Sequence, residues 1–287
     1  MLSNLFKNTF RQTSSRKSKS LNLVIAINGV DLIEPGDWNT VINSPSNEQE
    51  KNIKSECEAL AKRLSRSTGV PRDQIEYYSA LQYYRLINLL TAMTIATPDG
   101  FIWGQFKPKL FDDKITDPQI KESIKKMRKE QYPDSNLSAM EIILKKIQEK
   151  LSPEDFNELK NVMEQRTSKP PKVAMFGQAG VGKTTTICSL VGIDYDEAVK
   201  NGLISHTGQG TLDVRIHQLK TQQGIIDLID LPGYGVTEEE DAKHYELYRK
   251  IISECDVIVL VIQATNRAMA QDETMIKKIK EWITKSN

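Results

Sequence analysis

The feature that most constrains the fold is a glycine-rich stretch, GQAGVGKT, at residues 177–184. The apolar run KVAMF (172–176) before it is typical of a buried strand, and TTICSLV (185–191) after it is typical of a helix. A strand followed directly by a tight loop and a helix is a building unit of α/β folds. We therefore predict an α/β protein in which this loop joins a strand to a helix.

The pattern GxxxxGK[ST] in this loop predicts a binding site for the phosphates of a nucleoside triphosphate. Gly177 and Gly182 permit tight turns, so the N–H groups of residues 179–184 can point toward phosphate oxygens at the positive end of the helix. Lys183 would supply a charge to the β and γ phosphates, and Thr184 a hydroxyl group to Mg²⁺. The predicted phosphate-binding residues are Gly177, Gln178, Ala179, Gly180, Val181, Gly182, Lys183, Thr184 and Thr185.

A second motif lies in IIDLIDLPGYG (225–235), an apolar run that ends at Asp230. Asp230 could hold Mg²⁺ through a water molecule, and Gly233 could approach the γ-phosphate with its backbone N–H. A strand-end aspartate followed by a turn glycine would give the same letters. The position of the motif after a strand and downstream of the phosphate loop favours the nucleotide role.

A third motif is the loop SHTGQGTLDV (205–214), which precedes the next predicted strand. Such a loop should bring a threonine onto Mg²⁺ and the γ-phosphate. Thr211 is the better candidate and Thr207 is the alternative. A threonine that only stabilises a turn would also fit the pattern.

Predicted strands and helices alternate over residues 170–287, which indicates a doubly wound, mostly parallel sheet. The strands near 212–219 and 225–229 follow each other without a helix, so they could form one antiparallel edge. Helices are predicted from 183, over 239–253 and over 271–285. In the first part of the chain, helices are predicted over 46–69, with Ser46 as N-cap and Gly69 as the C-terminal stop, and over 81–96.

Together the three motifs resemble a GTPase, with a phosphate loop followed by two switch loops. DLPGYG (230–235) and DVIVLVIQATNRAMAQDE (256–273) are similar to the Era-like family of small GTP-binding proteins, which are TRAFAC-type P-loop GTPases. The resemblance implies GTP or GDP with Mg²⁺ as ligands. It implies metal contacts from Thr184, Thr211 and Asp230, and catalytic roles for Lys183 and Thr211.

Proteins of this family read the guanine base with an N/T-K-x-D motif and a Ser-Ala loop, and both have counterparts in the first part of this chain. VIAINGVD (24–31) is an apolar strand pattern that ends in Asn28-Gly-Val-Asp31, and IEYYSA (75–80) ends in Ser79-Ala80. Asp31 could accept hydrogen bonds from guanine N1–H and N2–H₂, while Asn28 ties its loop to the phosphate loop. The backbone of Ser79 and Ala80 would meet guanine O6. A coincidental loop aspartate is the simpler alternative.

The motif order therefore predicts a circularly permuted G domain. Residues 21–95 would form its C-terminal half, and residues 170–287 its N-terminal half with the phosphate loop and both switches. Residues 96–169 read as a charged helical insert, and residues 1–20 as a basic tail. The helical stripe of the insert consists of Met140, Ile143, Leu144 and Ile147.

Three positions depart from the family pattern. Tyr234 stands where many GTPases have a glutamine that orients the attacking water. Gly29 replaces the lysine of the base motif, and Gly180 replaces the asparagine of potassium-activated relatives. We expect Mg²⁺-dependent GTP binding with slow hydrolysis, which would make the protein a nucleotide-controlled switch. The alternatives are a catalytically weak nucleotide-binding interaction protein and a P-loop ATPase.

Composition narrows the partners only slightly. The net charge of +1 gives no global argument for nucleic acid, although ribosome or RNA contact stays open. Three widely separated cysteines favour a reducing compartment, so we predict a cytoplasmic protein without a transmembrane segment. The helical insert could bind a protein effector, and the two half-domains could complete each other in a swapped homodimer.

Overall fold

A six-stranded sheet with helices packed on both faces forms the centre of the described fold. This is the doubly wound arrangement that the alternation of predicted strands and helices indicated. The computed structural model describes residues 22–96, 111–131, 152–154, 157, 172–204, 214–221, 224–235, 238–266 and 269–286. The strands are β1 (Leu23–Asn28), β2 (Ile75–Tyr77), β3 (Lys172–Phe176), β4 (Arg215–Thr221), β5 (Gly224–Asp230) and β6 (Val257–Gln263). The helices are α1 (Asn47–Thr68), α2 (Leu86–Ala96), α3 (Pro118–Gln131), α4 (Lys183–Val191), α5 (Tyr195–Lys200), α6 (Glu238–Glu254) and α7 (Ala270–Ser286).

The strand order in the sheet is β2-β1-β6-β3-β5-β4. All neighbouring pairs are parallel except β4 and β5, which form the predicted antiparallel edge. Strand β1 pairs with β6 along its whole length, from Leu23 beside Ile258 to Asn28 beside Gln263. The carboxyl ends of the parallel strands therefore meet at one edge, where doubly wound folds bind their ligands.

The residues of β1 alternate between two cores on opposite faces of the sheet. Leu23, Ile25 and Ile27 pack with α1, α6 and α7. Val24 and Ala26 pack with α2 and α4 on the other face. Because both faces are buried, the strand is apolar without interruption, which is why it reads as a continuous hydrophobic run in the sequence.

Helix α1 begins and ends at the residues that its sequence indicates. The Ser46 hydroxyl accepts a hydrogen bond from the backbone N–H of Gln49 at 3.1 Å, which is an N-cap contact. Gly69 follows the last helical residue with φ of 71°, a left-handed conformation that suits glycine. The predicted helix over 46–69 is confirmed within one residue at each end.

Two predicted elements have different boundaries in the structure, and one helix was not predicted. The helix expected over 81–96 begins only at Leu86, because Tyr83 and Arg85 have φ of 56° and 57°, which a right-handed helix does not accommodate. Residues 79–85 instead form a tight turn, which two backbone hydrogen bonds between Ser79 and Tyr84 close. The short helix α5 was not predicted, and the strand expected near 212–219 runs from 215 to 221.

The described part of the helical insert contacts loops within residues 22–96, where the backbone N–H of Thr116 donates to the backbone oxygen of Val41 at 3.3 Å. Helix α3 confirms the helical pattern at its start, and the preceding 3-10 turn spans Phe111–Lys114. The Lys114 ammonium lies 4.8 Å from the centre of the Tyr83 ring. The stripe from 140 to 147 and the tail at 1–20 lie outside the described residues. None of the described helices combines the length and apolar composition of a membrane span.

Candidate nucleotide-binding site

The loop at 177–182 joins β3 to α4 through two positions that only glycine fits. Gly182 has φ of 88°, and a Cβ there would lie 2.5 Å from the Asn28 side-chain nitrogen. A Cβ at Gly177 would lie 2.2 Å from the backbone oxygen of Val261, which is closer than atoms can approach. The loop is therefore packed tightly against the ends of β1 and β6, and its glycines are required by space as well as by conformation.

Lys183, the first residue of α4, lies inside this loop with only 6% of its surface exposed. Its ammonium group donates to the backbone oxygens of Gly177 at 3.1 Å and Gln178 at 3.0 Å. Burial lowers the pKa of Lys183 to about 8, and the nearby Asp230 carboxylate opposes that shift. The positive end of α4 and the lysine thus converge on one point, which suits a phosphate group.

The two predicted metal ligands in the described residues lie side by side. The Thr184 hydroxyl donates to a carboxylate oxygen of Asp230 at 2.6 Å, and Asp230 is fully buried at the end of β5. Hydroxyl and carboxylate oxygens are the kind of ligand that Mg²⁺ prefers. These residues fit a Mg²⁺ ion. The third predicted ligand, Thr211, and its alternative Thr207 lie outside the described residues.

The backbone after β5 lies directly on the phosphate loop. A Cβ at Gly233 would be 2.5 Å from the backbone nitrogen of Ala179, so this contact again requires glycine. The Tyr248 hydroxyl donates to the backbone oxygen of Pro232 at 3.0 Å and supports the same segment from α6. The structure therefore brings the predicted γ-phosphate contact, Gly233, against the loop that would hold the phosphates.

Tyr234, the next residue, is directed into the protein core. It is 2% exposed, its ring centre lies 5.2 Å from that of Phe176, and its hydroxyl donates to Asp272 at 2.6 Å. The phenol is thus engaged with a buried carboxylate. A side chain held in this way cannot also orient an attacking water molecule.

Asn28 connects the loop after β1 to the phosphate loop and to the Ser-Ala turn. Its amide nitrogen donates to the backbone oxygen of Val181 at 2.9 Å. Its amide oxygen accepts from the backbone N–H of Ala80 at 3.0 Å. One side chain therefore joins the three loops that the sequence assigned to base and phosphates.

Further hydrogen bonds attach the turn after β2 to helix α4. The hydroxyl groups of Tyr78 and Thr186 are 2.7 Å apart, and Ser189 donates to the backbone oxygen of Ala80 at 2.8 Å. Tyr78 is fully buried, and its role was not predicted because a strand-end tyrosine gives no signal of its distant partner.

The remaining predicted base contacts lie on the same loops. Asp31 is the middle residue of a 3-10 turn, Val30–Leu32, and its backbone oxygen accepts from Gln49 at 2.9 Å. The Ser79 hydroxyl accepts from the backbone N–H of Gln82 at 3.0 Å, which stabilises the Ser-Ala turn. Gly29, at the position where the resembled GTPases have lysine, has φ of 79°.

The part of the chain that carries the phosphate loop is similar to a known protein family. Residues 172–287 match the model of a family described as 50S ribosome-binding GTPase. The match covers less than half of the chain, and together with the six-stranded, mostly parallel sheet it supports a P-loop GTPase domain that includes residues 172–287.

The chain is also similar to two proteins of Escherichia coli (strain K12). The uncharacterized protein YfjP is 26% identical over 115 residues, which are 40% of this chain and 38% of YfjP. The uncharacterized protein YkfA is 29% identical over 109 residues, which are 38% of this chain and 36% of YkfA. The similarity thus spans less than half the length of each relative.

Proposed function

We propose that this protein is a guanine-nucleotide switch whose G domain is built from two segments in circularly permuted order. Residues 172–287 would bind the phosphates and Mg²⁺, and residues 22–96 would read the base. The observation that carries the proposal is the Asn28 side chain, which is hydrogen-bonded to both Val181 and Ala80. This contact supports a single site made from both segments, and it argues against a P-loop ATPase with a separate N-terminal domain.

The pairing of β1 with β6 supports the permuted order. Strand β6 is followed by α7, and β1 lies parallel to β6 as its direct neighbour. A chain running from α7 into β1 would form an ordinary β-α-β unit of parallel strands. We therefore infer that β6, α7 and β1 correspond to consecutive elements of an unpermuted relative.

In the proposed reaction, water attacks the γ-phosphate of GTP in line with the leaving GDP. Lys183 and the backbone N–H groups of the phosphate loop would neutralise charge on the transferred phosphoryl group. Thr184 and Asp230 would hold Mg²⁺, which when bound neutralises charge on the β and γ phosphates. Because Tyr234 is engaged with Asp272, we expect hydrolysis to be slow without a partner.

Guanine selectivity tests the proposal. Unlabelled GTP or ATP is used to displace labelled GDP from the protein. We expect GTP to compete at least about 100-fold better than ATP, because guanine can donate two hydrogen bonds to the Asp31 carboxylate. Asp31→Ala should remove most of this preference. Asp73→Ala is the matched control, because Asp73 is also the middle residue of a 3-10 turn and is exposed. Equal competition by GTP and ATP in the unmodified protein would exclude the guanine assignment.

A second candidate function is an interaction protein that binds nucleotide without turnover, and the burial of Tyr234 favours it. Single-turnover hydrolysis, measured with and without cell extract and with and without Mg²⁺, separates the two functions. Phosphate release that rises with extract supports the switch, and no release under any condition supports the second candidate. An effector on the helical insert, ribosome contact, a swapped homodimer and a cytoplasmic location stay predictions.

A further inference from the structure

Four side chains around the buried Asp272 carboxyl group join the phosphate loop to the segment after Gly233. At the start of α7, Asp272 is 1% exposed and accepts hydrogen bonds from Tyr234 at 2.6 Å, Gln178 at 3.0 Å and Asn266 at 3.0 Å. We call these four residues the Asp272 cluster.

Each donor in the Asp272 cluster comes from a different part of the site. Gln178 belongs to the phosphate loop, Tyr234 to the segment after β5, and Asn266 to the loop between β6 and α7. Burying a carboxylate is costly unless several donors satisfy it. The cluster is therefore stable only when the three segments are held together, which makes Asp272 a link between them.

The geometry around Gly233 shows what this link holds in place. The backbones of Gln178 and Tyr234 form a parallel bridge, which brackets the contact between Gly233 and Ala179. Releasing Tyr234 would free the backbone on one side of Gly233, and reordering it on binding would cost conformational entropy. In the proposed site, Gly233 contacts only the γ-phosphate of the nucleotide. The entropy cost would therefore lower the affinity for GTP and leave the affinity for GDP unchanged.

We propose that Asp272 is a positioning residue that, through Tyr234 and Gln178, holds Gly233 against the phosphate loop and so sets the preference for GTP over GDP. This inference rests on the proposed function, because it assumes a guanine nucleotide in the loop. It gives position 234 a structural role in the switch, in place of the water-orienting role that glutamine has there in many GTPases.

The test compares affinities for a non-hydrolysable GTP analogue and for GDP, both with Mg²⁺. In Tyr234→Phe and in Asp272→Asn, we expect the ratio of the GDP to the analogue dissociation constant to fall about fivefold to tenfold, with GDP affinity within about twofold of the original. Tyr234→Phe keeps the ring packed against Phe176 and removes only one hydroxyl group. It should therefore preserve the fold better than shortening the side chain at position 272 would.

Tyr83→Phe is the matched control. Its hydroxyl also donates to a carboxylate at 2.6 Å, that of Asp194, and its side chain is 3% exposed. This variant should lose similar stability in urea unfolding and keep the original affinity ratio. If it lowers the ratio as much as Tyr234→Phe does, the effect is a general loss of stability and the proposal fails.

The outcomes for this inference and for the proposed function are distinct. If the unmodified protein prefers GTP to ATP but both cluster variants keep its ratio of the GDP to the analogue dissociation constant, the role of Asp272 is overturned while the guanine switch stands. The same conclusion follows if the variants weaken both nucleotides equally, or if the unmodified protein does not distinguish the analogue from GDP. Failure to prefer GTP to ATP contradicts the proposed function itself.

Discussion

The two segments that form the sheet differ in how strongly their sequences indicate a nucleotide site. The C-terminal segment (172–287) contains the phosphate loop and matches a GTPase family model. The N-terminal segment (22–96) carries only Asn28, Asp31 and a Ser-Ala pair as its signal. Yet the contacts that join them, through Asn28 and Tyr78, are as short and as buried as those inside the phosphate loop.

The difference has a physical cause. Phosphates are bound by consecutive backbone N–H groups, and that geometry dictates glycines at fixed spacing in one short stretch. A base is recognised by a few side chains on separate loops, which the sheet brings together. The first kind of site leaves a dense local pattern in the sequence, whereas the second leaves isolated residues.

The largest effect should follow from Lys183→Ala. We propose that the buried ammonium group of Lys183 faces the phosphates of a bound nucleotide. Removing it should then weaken the binding of GTP and of ATP by about 100-fold, the value of one to two hydrogen bonds to charged groups. Equilibrium binding of a fluorescent nucleotide measures it. Lys172→Ala is the control, because Lys172 starts the same β3 but pairs at the surface with Glu254. Unchanged affinity in Lys183→Ala would mean that the loop does not bind phosphate.

Asn28→Ala should break the connection between the two segments. It leaves the Val181 oxygen and the Ala80 N–H without their partner, which should lower the free energy of unfolding by about 1–3 kcal/mol and GDP affinity by about tenfold. Urea unfolding and nucleotide titration measure the two effects. Asn52→Ala removes one exposed bond to Glu34 and should change neither by much. Full GDP affinity in Asn28→Ala would show that the N-terminal segment is not part of the site.

Gly29→Lys should sharpen the comparison by introducing the lysine that Era-like proteins have at this position of the proposed base motif. A Cβ at 29 meets only Leu32 and Gln263 at 3.6 and 3.9 Å, so the substitution has room, although φ of 79° strains any side chain by about 1–2 kcal/mol. Gly29→Ala carries the same strain without the lysine stem. We expect the lysine variant to bind GDP about fivefold more tightly than the alanine variant. Equal affinities would show that a lysine here does not reach the base.

The smallest effect concerns pH and the Asp272 cluster. Burial raises the pKa of Asp272 above its ordinary value of 3.8, although its three hydrogen-bond donors oppose that rise. The native state therefore binds this proton more tightly than the unfolded state does, and the resulting stability is lost as pH rises through the native pKa. Relative to Asp272→Asn, which does not titrate, the protein should lose stability from about pH 4 upward. A relative gain over that range would show that the donors outweigh burial.

The sequence predicted the parts of the fold that depend on neighbours in the chain. The β3-loop-α4 unit and helix α1 begin where their glycines and Ser46 indicate, because turn geometry and capping are local. Residues 81–85 were predicted wrongly as the start of a helix, since apolar residues at helical spacing did not reveal the positive φ of Tyr83 and Arg85.

The sequence also assigned most of the candidate site, and Asp272 shows why it could not assign all of it. Its acidic side chain at a helix start reads as an ordinary first-turn aspartate. Its importance depends on Tyr234 and Gln178, which lie 38 and 94 positions away. Only the packing of β5, α7 and the phosphate loop brings these residues together.

The contact of Asn28, the last residue of β1, with the phosphate loop has a consequence for how the protein folds. Asn28 and Val181 lie 153 positions apart in the sequence. Bringing them together therefore costs the conformational entropy of closing a long loop before their contact can stabilise the fold. Folding rates fall as contacting residues become more distant in sequence. We expect each segment to gain its helices early and the nucleotide site to form in the slowest step. Recovery of nucleotide binding after dilution from denaturant should then lag behind recovery of helical circular dichroism.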